Sequence, residues 1–509
     1  MSEAERQQGA AWLGGILDGA EAYALARLLA SQSPLLFVAR DDKRLVRTRA
    51  ALSFFAPTTR TLVFPAWDCL PYDRVGPSAA ISAQRLRTLY RLAKGLPAGP
   101  CVLLTTVNAL LQKVVPPTWM QAQARALRVG ESLSPARLIK FLVAQGYQEV
   151  DLVRTQGEFA RRGGLLDLFV PAANRPTRLD FFGDTLESMR SFDPLSQRSL
   201  KERSGLLLLP AREIPQDDRS RERFRVAYRA LSHSSGVNDP LYEAVTAGRA
   251  YAGVEQWQPL FFEGLVPLFD YLPLDMPLVL DSGAQAAVTA RRDSVADFYA
   301  ARQAALASDP SAPASPQTAA AYHPVAPDSF LLDAEQWEAL AQARPLWLLS
   351  PFMAPEVVPK TAPEVVLEAA QLEASDAVKA LQQQAATRPP LSFVEARQNP
   401  DTNLYEAVRL AIRDAQRRGQ KVLISATSTG ARVRLAALLF EQGVKIQKEV
   451  DSSSQLAALK GQAVGFAVLP LESGFQTDQL AVISEQDILG QRLAQHQRRR
   501  KAEQFLRDA

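Results

Sequence analysis

Two hydrophobic periods occupy separate blocks of this chain, and one sheet type cannot satisfy both. Up to about residue 123, short apolar runs at 34–39, 61–64 and 101–105 are separated by helix-length segments at 21–30, 43–55 and 82–93. This spacing specifies parallel strands joined by helices, because a parallel pair needs a crossover long enough to hold one. Residues 149–193 switch to period two with recurring Gly pairs, which specifies a small antiparallel sheet. The chain therefore reads as α/β with a β-rich body inserted into it.

The boundaries follow from the same patterning. Residues 1–123 and 211–344 form one α/β domain in two segments, interrupted at 124–210. Within the insertion, 134–145 reads as a helix with Ser134 as N-cap, Pro135 at the first helical position and Gly146 as terminator. A strand at 206–210 returns to the first domain. The low-complexity stretch 309–317 reads as a mobile loop, and the proline-rich 345–389 as a linker. A βα alternation at 390–490 predicts a small second α/β domain, with helices over 403–417 and 429–442 and strands at 421–425, 464–469 and 479–484. The polar basic tail 491–509, with Arg498, Arg499, Arg500 and Lys501, reads as the start of a connecting helix.

Composition narrows the function classes. At 509 residues the chain has material for three to four domains of roughly 150 residues each. Lys plus Arg total 58 against 54 for Asp plus Glu, a surplus of +4 that is too thin for an all-over nucleic-acid coat. Two cysteines, Cys69 and Cys101, cannot build a disulfide framework, and His233, His323 and His496 lie too far apart for a zinc motif. No secretory signal and no apolar run of membrane-spanning length is read, so a cytoplasmic protein with no membrane partner is expected.

Gly14 and Gly19 have the offset of the two glycines in a phosphate-binding loop, where the next two residues should be a Lys and a hydroxyl. Ala20 and Glu21 stand there instead. With no ammonium for the phosphates, no Mg²⁺ ligand, and a carboxylate that would repel the anion, the motif reads as a glycine turn into a helix. The sequence SATST at 425–429 follows a strand and opens a helix, which reads as N-capping. The carboxylates Asp217, Asp218, Glu472 and Glu485 receive no role. No catalytic residue, metal or cofactor is expected.

In the strand TRLDFF at 177–182, alternation puts Leu179 and Phe181 on one face and Arg178, Asp180 and Phe182 on the other. An arginine and an aromatic on an exposed face suit protein binding, and Arg162 on a neighbouring strand would lie beside them. The alternative is a strand buried on both faces, with Arg178 paired to Asp180 or Glu187.

At these residues the chain becomes recognisable. FPAWDCLPYD at 64–73, SAQRL at 82–86, Gly146-Tyr147 with Val150-Asp151, GEF at 157–159 and RGG at 162–164 through Asp167 and Phe169 resemble the front part of the bacterial transcription-repair coupling factors, the Mfd family. RLDFFG at 178–183, Phe192-Asp193 with SQR at 196–198, GVE at 253–255, WQPLFF at 257–262 and SEQDILG at 484–490 extend the resemblance over nearly the whole chain.

The resemblance implies a RecA-like domain similar to UvrB with a degenerate nucleotide site, an inserted β-rich α+β domain that binds UvrA, and a separate C-terminal α/β domain. It implies UvrA-binding roles for Arg162, Arg178 and Phe182, and an adaptor in transcription-coupled nucleotide excision repair. A full-length relative would also engage RNA polymerase and duplex DNA through an ATP-driven translocase, and this chain, without a motor motif, reads as a truncated, non-enzymatic part. Two rivals are a UvrB-like ATP-dependent helicase or excision component, and a nonspecific DNA binder using Arg498 to Lys501. The first would need an intact phosphate loop and a tyrosine-rich hairpin, where only Tyr72 lies between Phe64 and Leu86.

Overall fold

The computed structural model describes residues 11–171, 173–232, 239–307, 322–352, 382–383 and 385–490. A six-stranded parallel sheet runs in the order Ala11–Leu13, Leu346–Leu349, Leu278–Leu280, Leu35–Ala39, Cys101–Thr106, Arg60–Phe64. Its central strands, LLFVA and CVLLTT, are buried throughout, as a parallel sheet covered on both faces requires. Successive residues enter two different cores: Leu36, Val38 and Leu103 pack on one face, Leu35, Phe37 and Val102 on the other.

Strands from both sides of the insertion interleave in this sheet. Buried Arg85 ties the segments together, its Nε and Nη2 donating to Glu213 at 2.6 and 3.2 Å and its Nη1 to the Pro65 carbonyl at 2.9 Å. The expected linker 345–389 begins too early. Leu346–Leu349 is a sheet strand between Ala11–Leu13 and Leu278–Leu280, and a four-residue apolar run beside prolines carries too little periodicity to be read as one. Residues 353–381 and 384 of that linker, the stretch 309–317 and the tail 491–509 lie outside the described residues.

The inserted body holds a second six-stranded sheet: Ser199–Glu202, Thr185–Phe192, Thr177–Phe182, Leu165–Leu168, Glu158–Arg162, Gln148–Glu149. Its pairs are antiparallel except the last. Leu138 and Leu142 of the helix Pro135–Ala144 cluster with Phe159, Leu166, Leu179, Phe181 and Leu186 to form the core of this body. Arg125–Arg128 pairs with Gly205–Leu208, so the chain enters and leaves through one antiparallel ribbon.

The third body is a five-stranded sheet, Gln447–Glu449, Val464–Val468, Lys421–Ala426, Leu480–Ser484, Phe475–Gln476, with helices Leu404–Arg417 and Thr429–Glu441. The SATST segment is a helix start: the Ser428 side chain accepts the Ala431 N–H at 3.2 Å. This body is less separate than expected. Leu423, Leu469, Phe475 and Val482 share one buried cluster with Leu13, Phe37 and Leu52 of the first body.

Candidate functional site

Two places bear on function: the loop that carries Gly14 and Gly19, and the outer face of the inserted sheet. In the loop, Gly19 has φ +102, a conformation open to glycine, and the helix Glu21–Ser31 follows immediately. The buried Glu21 carboxylate accepts the Gly19 N–H at 3.0 and 3.1 Å. Glu21 thus supplies the anion that such a loop attracts, in the place a phosphate would take.

Arg44 neutralises the cluster. Its guanidinium donates to Glu21 at 2.5 Å, to Asp281 at 3.2 Å and to Asp18. Burial pushes the Glu21 carboxyl up to about 7, against the pull of Arg44. Burial also raises Asp281. Burial acts on Asp18 in the same sense, but Arg44 and Arg40 outweigh it and hold that carboxyl below its ordinary range.

The third body closes over this loop. A Cβ on Gly19 would stand 2.2 Å from the Ser473 carbonyl oxygen. Thr387 donates to the Gly15 carbonyl from its N–H at 2.9 Å and from its hydroxyl at 2.6 Å. Phe475 lies against Tyr23 with ring centroids 5.5 Å apart, and Glu472 pairs with Lys43 at 3.3 Å and with Arg47. Glu472, which carried no role in the sequence, fastens two bodies together.

On the inserted sheet, the alternation expected for TRLDFF holds. Leu179 and Phe181 are buried and Phe182 is 77% exposed. Register places Arg162 opposite Leu165, and Leu165 opposite Asp180, so Arg162, Arg178, Asp180 and Phe182 share one face. Arg162 is exposed and, among the described residues, donates only to the Asp151 carbonyl, at 3.1 Å.

Arg178 is not the free side chain that a binding hot spot suggests. Its Nε and Nη2 make a bidentate pair with Asp167 at 2.7 and 2.8 Å, and its guanidinium lies 5.0 Å from the Phe192 ring centre. The Asp167 side chain is 2% exposed and that of Arg178 19%. The hydrogen bond to Asp167 raises the Arg178 guanidinium above its ordinary range. Neither Asp180 nor Glu187 is the partner: antiparallel register sets Asp167 directly across from Arg178, and local sequence does not reveal that pairing.

Among the described residues, no helix is long and apolar enough to cross a membrane. The sequence pattern of the UvrB interaction domain matches residues 126–214, and that of the MFD D3 domain matches 415–488. The chain is 38% identical over 264 residues to the transcription-repair-coupling factor of Haemophilus influenzae, covering 51% of this chain and 23% of that protein. It is 38% identical over 268 residues to that of Escherichia coli, covering 52% and 23%. Against that of Myxococcus xanthus it is 40% identical over 276 residues, covering 51% and 22%. The match spans less than a quarter of each relative's length. Both domain patterns and these relatives agree in likening the chain to part of the transcription-repair-coupling factors.

Proposed function

We propose that this chain acts as an adaptor that recruits the damage-recognition protein UvrA to lesions where RNA polymerase has stalled, docking it through the outer face of the inserted sheet. One observation carries the reading. Phe182 stands 77% exposed on a strand whose opposite face is core, on the same face as exposed Arg162, and aromatic and arginine side chains are the residues that dominate protein interfaces. The match of residues 126–214 to the UvrB interaction domain supports the inserted body as the docking module.

The first body is read as a RecA-like fold with a degenerate nucleotide site, and the chain as neither binding nor hydrolysing ATP. The residues present do not fit a nucleotide phosphate. Glu21 holds the Gly19 amide, Ala20 offers no cation, and the Ser473 carbonyl covers the loop. In the full-length protein, engagement of RNA polymerase and duplex DNA and ATP-driven translocation would belong to other domains, in the cytoplasm. The test is capture of purified UvrA by this chain, with and without nucleotide. Nucleotide-independent capture is expected, and absence of capture would refute the adaptor reading.

A further inference from the structure

The hairpin that presents Phe182 brings another guanidinium to the same face. Arg190 of the strand Thr185–Phe192 stands directly opposite Arg178 in the antiparallel register, so the two side chains point the same way. Like charges placed directly opposite repel, and only one of these two is compensated. Asp167 holds Arg178 in a bidentate pair. Arg190 is exposed, and no hydrogen bond or ion pair among the described residues engages it. Its register partner on the edge strand, Glu202, is also exposed and lies beyond ion-pair distance.

We propose that Arg190, together with Arg162, reads an acidic patch on the partner protein, while Arg178 is a positioning residue that ties its strand to that of Asp167 beneath them. The inference rests on the docking face proposed above and assigns its charge chemistry. Arg162 and Arg190 stand on strands three spacings apart, about 14 Å, and Phe182 lies about 13 Å along its strand from Arg178. An aromatic at the hairpin end and two guanidiniums without ion pairs, spread over one face, call for an apolar pocket with carboxylates to its side. On this face Asp167 is neutralised by Arg178, and Asp180 is half-buried. Exposed Glu202 also stands on this face, and Arg162 and Arg190 are its exposed guanidiniums without an ion pair among the described residues.

The experiment is titration of purified UvrA with the full chain and its Arg190→Ala, Arg190→Glu, Arg190→Lys and Phe182→Ala variants, at low and high salt, with melting temperatures taken for these and for Arg178→Ala. Arg190→Ala is expected to weaken binding about tenfold and Arg190→Glu more, with melting temperatures unchanged. Arg190→Lys should retain most of the affinity, and binding by the Arg190→Ala variant should depend less on salt than that of the native chain. If Phe182→Ala weakens binding and Arg190→Glu does not, the inference is wrong while the docking face stands. If neither weakens it, both are wrong. An Arg190→Glu variant that melts as low as Arg178→Ala would make Arg190 structural and overturn the proposal.

Discussion

The Glu21 carboxylate sits on the Gly19 amide of a loop that has the glycine spacing of a phosphate cradle. A carboxylate carried by the helix itself is present at high effective concentration, so a nucleotide phosphate would have to displace it and break its pair with Arg44. Calorimetric titration with Mg-ATP is expected to show no saturable binding at millimolar nucleotide. A micromolar dissociation constant, lost on changing Gly19, would contradict this.

The same carboxyl makes stability depend on pH. Its folded value of about 7 lies above its ordinary value of 4.5, so the folded state binds a proton that the unfolded state has released. The stabilisation is present below the ordinary value and is lost as pH rises through about 7. Asp281, also raised by burial, acts in the same direction. The urea midpoint is expected to fall between about pH 5 and pH 8, and Glu21→Gln to flatten that slope. A native midpoint that climbs over this window, or a slope unchanged in Glu21→Gln, would count against the burial argument.

Arg178 combines a place on the docking face with a structural duty. Arg178→Ala would leave the Asp167 carboxylate buried without its cation, a change that costs about 3 kcal/mol or more where the pair is well shielded. The melting temperature should therefore fall, and Asp167→Asn in the same chain should recover part of the loss. Equal stability of Arg178→Ala and the native chain would show that the pair contributes nothing.

Period and length made the longer strands and helices readable, since Leu35–Ala39 and Thr177–Phe182 differ in the alternation that burial on two faces or one imposes. The motifs that carry the family resemblance lie largely in the frame. Arg85 of SAQRL is locked to Glu213, and Tyr72 is buried with φ +56 and its hydroxyl on the Val325 carbonyl. What could not be read were the partners set by register and by packing between distant segments. Asp167 for Arg178, Ser473 over Gly19 and the strand Leu346–Leu349 all depend on contacts across the chain rather than on neighbours in sequence.

Phe181 and Phe182 separate fold from function within two residues, at 8% and 77% exposure. The most direct measurement is UvrA affinity alongside chemical denaturation for Phe181→Ala and Phe182→Ala. Phe181→Ala should lose about 3 to 5 kcal/mol of stability through the cavity it leaves. Phe182→Ala should leave stability within about 0.5 kcal/mol and weaken UvrA binding by about 2 kcal/mol, roughly thirtyfold. If Phe182→Ala binds UvrA as tightly as the native chain, the outer face of the inserted sheet is not the docking surface.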